Sequence, residues 1–251
     1  MKKRDVLNSP RLSELKNKRK KIFFGKIFFA SFLILIIIIC LGYIYRIPSL
    51  NISGVKIIAS KISDIENIQT VVEKEIIGNY LWFFPRTNML FYPKNKIKNI
   101  LLDKFKKIKE TDLVIKDKIL EVTIIERNAK YTWCGKDLVV GVPSEEKCYF
   151  MDVDGYIYDE APYFSGNVYF KFYGAGDIGN YFSRVNFKQL VNFKTTLITM
   201  GLKPISLSME DSGDIKVFLF SLDKTLTQPY IVFKADADFQ KVVENLDTAL
   251  G

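Results

Sequence analysis

Cys134 and Cys148, 14 positions apart, are the residues best placed for covalent chemistry in a chain that contains no histidine. The absence of imidazole removes Ser-His-Asp and Cys-His nucleophiles and every zinc site that uses His. Three cysteines in all cannot supply an all-thiolate tetrahedral centre. Asp152, Asp154 and Asp159 form an acidic cluster that could suggest calcium, but an EF-hand loop of about 12 residues needs Gly at its sixth position. Gly155 comes too early for that, and Asp154-Gly155 reads as a tight hairpin turn instead. Gly174-Ala175-Gly176-Asp177-Ile178-Gly179 matches GxGxxG, yet a dinucleotide fold needs an acidic residue about 20 positions on, within a βαβ unit. None stands around Lys194–Ile198, so the segment is read as a flexible turn leading to a helix. A Ser-Lys dyad remains open as a nucleophile, with Ser49 and Ser53 as the nearest candidates. No catalytic residue, metal ligand or cofactor is expected.

What must position these residues is a chain of 251 residues with a charge of +9 that is unevenly placed. Residues 1–26 hold ten of the 37 Lys and Arg but only two of the 28 Asp and Glu, a net +8, which leaves 27 and 26 in the rest. A nucleic-acid surface would put basic charge on a folded face, so no nucleic-acid partner is expected. The basic arm instead precedes 19 uncharged residues, Ile27–Tyr45, which include an unbroken run from Phe32 to Cys40. As a helix they would reach roughly 28 Å, close to the hydrocarbon thickness of a bilayer. The sequence Ile39-Cys40-Leu41-Gly42-Tyr43 is a poor cleavage site, and Cys40 reads as an apolar residue of the span. One uncleaved span is expected, with the N-terminus cytoplasmic by the positive-inside bias. The arm needs no fold to bind anionic headgroups with its lysines.

The remaining residues, Arg46–Gly251, suffice for two domains. Ile52–Ile58 reads as a strand. Ser63-Asp64-Ile65-Glu66 reads as a capping box for a helix with Ile65, Ile68, Val72 and Ile76 on one face, stopped by Gly78. Pro93 opens a second helix with the stripe Ile97, Ile100, Leu101, Phe105 and Ile108, and its many lysines form a solvated face. Strands at Leu113–Lys116 and Ile119–Arg127 follow, joined by the turn Asp117-Lys118. From Tyr131 the texture is β, with strands at Cys148–Asp152, Tyr156–Tyr158 and Val168–Tyr173. A helix around Leu190–Ile198, strands near Ile205–Met209, Ile215–Phe220 and Tyr230–Lys234, and a final helix through Phe239, Val242, Val243, Leu246 and Leu250 complete the pattern. The fold class is α+β. Outside the membrane Cys134 and Cys148 are expected to bridge, with a Cα separation of about 4.4–6.8 Å, closing a loop between neighbouring strands. The alternative is two free thiols.

This order resembles the bacterial cell-division family FtsQ, called DivIB in Gram-positives. The similar stretches are Leu50-Asn51-Ile52-Ser53-Gly54-Val55, Asn88-Met89-Leu90-Phe91, Leu120–Arg127 with Trp133 shortly after, and Tyr149–Tyr158 around Asp152 and Gly155. The resemblance covers most of the chain through the order and spacing of its motifs. It marks Gly54, Leu90, Phe91, Glu126, Arg127, Trp133, Asp152 and Gly155 as family-motif positions. It implies a cytoplasmic arm at 1–26, a transmembrane helix at 27–45, a POTRA domain (β-α-α-β-β) at 46–128 and an FtsQ/DivIB-like β domain with two helices at 129–251. The Cys134–Cys148 pair is not a general family feature, and the family's further strands have no counterpart after Leu250.

The resemblance implies a scaffold without enzymatic activity, at the division septum in the cell membrane. Its partners would be other single-span division proteins and the septal wall-synthesis machinery. Tyr230, Ile231, Val232, Phe233 and Lys234 are the expected partner-binding strand, at or next to an open sheet edge. Their β propensity is high, and Gln228-Pro229 breaks pairing just before them. The alternative for that strand is a central position, paired on both sides. Two other functions stay open. One is a POTRA-type adaptor of a secretion or pilus-assembly system. The other is a membrane-anchored hydrolase with a Ser-Lys pair, although Ser49 and Ser53 lack the Ser-Met-x-Pro context of signal peptidases.

Overall fold

A computed structural model describes residues 10–45, 47–60, 64–80, 84–138, 146–183, 187–221 and 228–250. The chain is mixed α+β, with five α-helices and twelve strands among these residues. Helix α1 runs unbroken from Pro10 to Tyr45, and within it Asn17–Cys40 is long and apolar enough to cross a membrane, with none of it buried inside the protein. The helix therefore starts well before the uncharged run, and the basic segment 17–26 is helical rather than unstructured. Charged Lys and Arg are good helix formers, and an apolar helix already nucleated beside them can extend through them.

The chain folds as two compact units, Met1–Ile58 with Asp64–Ile97 and Leu113–Val122, and Ala59–Ser63 with Lys98–Asp112 and Thr123–Gly251. In the first unit β1 (Gly54–Ile58) carries α2 (Ile65–Ile76), whose Ile68, Val72 and Ile76 are buried at the expected spacing. The N-cap of α2 is Asp64, and its carboxylate accepts from the Asn67 side chain rather than from a backbone N–H. The expected capping box begins at Ser63, which lies outside the described residues. Gly78, at φ +108°, ends the turn as a glycine can. A short hairpin, β2 (Asn79–Tyr80) with β3 (Phe84–Pro85), follows.

Helix α3 (Lys94–Lys104) starts directly after Pro93 and buries Ile97 and Leu101. Ile108 does not continue its stripe. It opens β4 (Ile108–Lys116), a longer strand than the sequence suggests, and β5 (Ile119–Glu126) returns from it. Asp117 and Lys118 both have positive φ, 49° and 67°, the signature of a two-residue type I′ hairpin. The sheet order is β1-β5-β4, and Leu120, Val122 and Ile124 are the buried alternate residues of β5.

The second unit holds a seven-stranded sheet in the order β12-β11-β10-β9-β6-β7-β8. Its strands are β6 (Tyr131–Trp133), β7 (Cys148–Met151), β8 (Ile157–Ala161), β9 (Phe170–Tyr173), β10 (Pro204–Met209), β11 (Asp214–Leu219) and β12 (Tyr230–Lys234). Helix α4 (Phe187–Thr199) connects β9 to β10, which pair in parallel, so β9-α4-β10 is a βαβ crossover within an otherwise mostly antiparallel sheet. Leu190, Phe193 and Leu197 of α4 pack with Phe172, Leu207, Val217 and Phe233 of the strands, and Phe239, Val242, Val243 and Leu246 of α5 (Phe239–Leu250) join this core from its margin.

Candidate functional site

Strand β12 has one partner, β11, and no other described strand pairs with it. Its side chains alternate: Ile231 and Phe233 turn toward the core, while Tyr230, Val232 and Lys234 are exposed. The backbone alternates too. The Ala235 N–H donates to Gly213 O, and Pro229 O accepts from Leu219 N–H, so the odd-numbered residues bond toward β11. By the same alternation the N–H and C=O groups of Tyr230, Val232 and Lys234 point away from it. That is a short open hydrogen-bonding row at Tyr230 and Val232, closed at its end where Lys234 O accepts from Ala237 N–H. It is flanked by exposed apolar area: the rings of Phe218 and Tyr230 lie 5.8 Å apart, and Val232 and Phe220 are exposed nearby. Lys216 and Lys234 are paired with Glu210 and Asp214, which leaves little net charge along this edge. On the helical side α5 has no fully buried residue, so it is the lightest-held element next to the edge.

A second cluster joins motif positions that lie far apart in sequence. Arg127, just past β5, forms an ion pair with Asp152, their side chains only 9% and 2% exposed. The guanidinium lies 3.6 Å from the centroid of the Tyr156 ring, and its Nε donates to Lys106 O. The other Asp152 oxygen accepts from the backbone N–H of Asp154 and of Tyr156, which shapes the hairpin turn between β7 and β8. Gly155 sits at φ +82°, and a Cβ there would meet the Phe187 ring at 2.8 Å, so both backbone and packing require glycine. Around this pair Lys109 binds Asp154 and Lys107 binds Asp159. Each carboxylate of the acidic cluster thus has its own cation. Asp154 in turn raises the Lys109 pKa through its hydrogen bond and charge. Burial, with the charges of Asp152 and Asp159, pushes the Tyr158 phenol up to about 12.

The remaining sequence candidates fall into place separately. Cys134 and Cys148 are bridged, with sulfurs 2.03 Å apart and a Cα separation of 4.1 Å, slightly closer than expected. They lie across the antiparallel pair β6–β7, next to the opposed residues Trp133 and Tyr149. Glu146 beside them accepts from Lys171 Nζ and Tyr173 OH, and burial together with that carboxylate raises the Tyr173 pKa. Trp133 Nε1 donates to Gly174 O at 3.0 Å. The GxGxxG segment is tightly packed rather than a flexible turn: a Cβ on Gly176 would meet the Trp133 indole at 3.0 Å, and one on Gly179 the Lys106 side chain at 2.9 Å. Gly54 opens β1, and Glu126 closes β5 and accepts from Ser60. Leu90 and Phe91 are exposed. The Ser53 hydroxyl donates to the carbonyl of Lys118, not to an amine.

Sequence reasoning found β12 from propensity and the Pro229 break. It singled out Arg127 and Asp152 separately but did not join them, since 25 positions separate them and nothing local pairs a strand-end Arg with a turn Asp. No protein-family model matches this chain, and no curated protein matches it either.

Proposed function

We propose that this chain is a single-span membrane scaffold of the bacterial division machinery, of the FtsQ/DivIB kind, with a POTRA domain at 46–128 and a β domain at 129–251. Its body stands outside the membrane and recruits other membrane-anchored division proteins to the septum. The observation that carries the reading is the open edge at β12, next to exposed apolar side chains, with Lys216 and Lys234 each ion-paired. An edge of this kind is a template for a strand supplied by a partner, and a native protein keeps such a row occupied. The order of motifs supports the family reading, as do the apolar helix ahead of them and the succession β1, α2, α3, β4, β5, which departs from the expected β-α-α-β-β by the short hairpin β2–β3 between the two helices. The scaffold works by position and pairing, and no bond-making step is assigned to it.

The test is substitution on the outward positions of the strand. Tyr230→Asp and Val232→Lys should leave the circular dichroism of the full chain unchanged while abolishing co-purification of division proteins from cells. Retained co-purification, or septal absence of a fluorescent fusion of the wild-type chain, would defeat the proposal. A POTRA adaptor of a secretion system would give the second of these outcomes.

A further inference from the structure

Leu90 and Phe91 are 73% and 55% exposed although the turn that carries them is firmly tied down. Asn88 is buried, and its side-chain oxygen accepts from Leu90 N–H at 3.0 Å. Phe91 N–H donates to Asn88 O, and Asn88 N–H donates to Pro85 O. Met89 N–H donates to Leu50 O, Ile52 N–H to Thr87 O, and Asn51 bridges Asn88. Two large apolar side chains are therefore held outward by a rigid support, which is a display rather than fraying.

The support is the segment that leaves the apolar helix. Leu50 is five residues past Tyr45, the end of α1, and an extended chain covers at most about 18 Å in five residues. Pro48–Leu50 is a 3-10 turn, which shortens that reach. The backbone of α1 also comes within 8 Å of β3. The charge pattern agrees. From Ile77 to Leu102 the chain has no Asp or Glu, while it holds Arg86, Lys94, Lys96 and Lys98. Of these, Lys96 is paired with Glu75 and Lys98 with Asp112. Nothing within this stretch repels an anionic headgroup.

We infer that the Leu90–Phe91 turn is a second membrane contact, its apolar tip seated in the lipid interface beside the point where α1 emerges. This rests on the reading of α1 as a membrane span. One helix alone leaves the body free to swivel about it, whereas two contacts fix how the body faces the bilayer. Aromatic and aliphatic side chains flanked by cations are the residues such an interface takes up.

The test uses the full chain in vesicles of phosphatidylethanolamine and phosphatidylglycerol. Single cysteines carry an environment-sensitive fluorophore, attached without reductant so that the Cys134–Cys148 bridge stays closed. One variant is Cys40→Ala with Leu90→Cys, one is Cys40→Ala with Glu66→Cys at the start of α2, and one keeps Cys40 alone. Lipids bearing nitroxides at shallow or deep positions quench the label. The expected result is a blue shift and shallow quenching at position 90, neither at position 66, and deep quenching at Cys40. Deep quenching at Cys40 with a water-exposed, unquenched label at position 90 overturns the inference and leaves the span standing. Loss of quenching at Cys40 overturns the span, and the inference with it. A shielded label at position 90 that ignores the nitroxides and responds to the protein-to-lipid ratio would mean contact with a second copy of the chain, which also overturns the inference.

Discussion

Arg127 and Asp152 form the most consequential pair of side chains in the second unit, because both are buried and every contact of one shapes the other. Their net contribution is not the issue, since a buried ion pair gains in Coulomb energy about what it loses in desolvation. What matters is the cost of leaving one member alone. Arg127→Ala strands a buried carboxylate whose remaining partners are the Asp154 and Tyr156 amides, and it removes the cation from the Tyr156 ring. We expect a loss of roughly 3–5 kcal/mol for Arg127→Ala or Asp152→Ala singly. The double change to Met and Leu should cost clearly less, and thermal unfolding of the three variants followed by near-ultraviolet circular dichroism measures the difference. Equal losses in all three would mean that the pair acts only through its packing volume. The turn hydrogen bonds of Asp152 explain why the double variant should still fall short of the parent: two amides lose their acceptor.

At the level of elements, the disulfide ties β6 to β7. Closing a loop of about 15 residues contributes roughly 3 kcal/mol through the unfolded state. Replacing Cys134 and Cys148 together by Ala should therefore lower the midpoint of urea unfolding without changing the emission of Trp133. Alkylation of the unreduced, denatured parent should modify Cys40 alone, and modification of all three thiols would remove the bridge. Much of this architecture was legible. The hairpin at Asp117-Lys118, the bounds of β12 and the helix faces of α2 and α5, apart from the exposed Ile65 and Leu250 at their ends, follow from period and turn chemistry, which act within a few residues. The parts that were not legible have specific causes. Phe105 and Ile108 continue the three- and four-residue spacing of α3, so the beginning of β4 looked helical until its partner β5 was in place. Strands β2 and β3 are two residues each, too short to show a period. The crossover β9-α4-β10 was hidden because parallel pairing leaves no turn signal. The edge position of β12 could be expected but not decided, since a central strand has the same composition.

For the whole molecule, the proposed arrangement puts the N-terminus in the cytoplasm and everything after Tyr45 outside, set by the net +8 ahead of the apolar run. A periplasmic-type reporter such as alkaline phosphatase fused after Leu250 should be active, and the same reporter fused ahead of Pro10 inactive. The reverse pattern, or a mature chain beginning after Gly42, would exclude it. The unbroken length of α1 then acquires a mechanical meaning. Its 36 residues make a rod of about 54 Å, against a hydrocarbon core of about 30 Å. Some 24 Å is left over, and most of it lies on the arm side. A helix that pivots in the bilayer by about 20° would sweep that inner end sideways by roughly 8 Å. Twisting it about its axis would turn the ring of lysines and arginines like the teeth of a gear. In the proposed topology the charged arm and the outer end of the span are thus two ends of one stiff shaft, and torque applied to one is felt at the other.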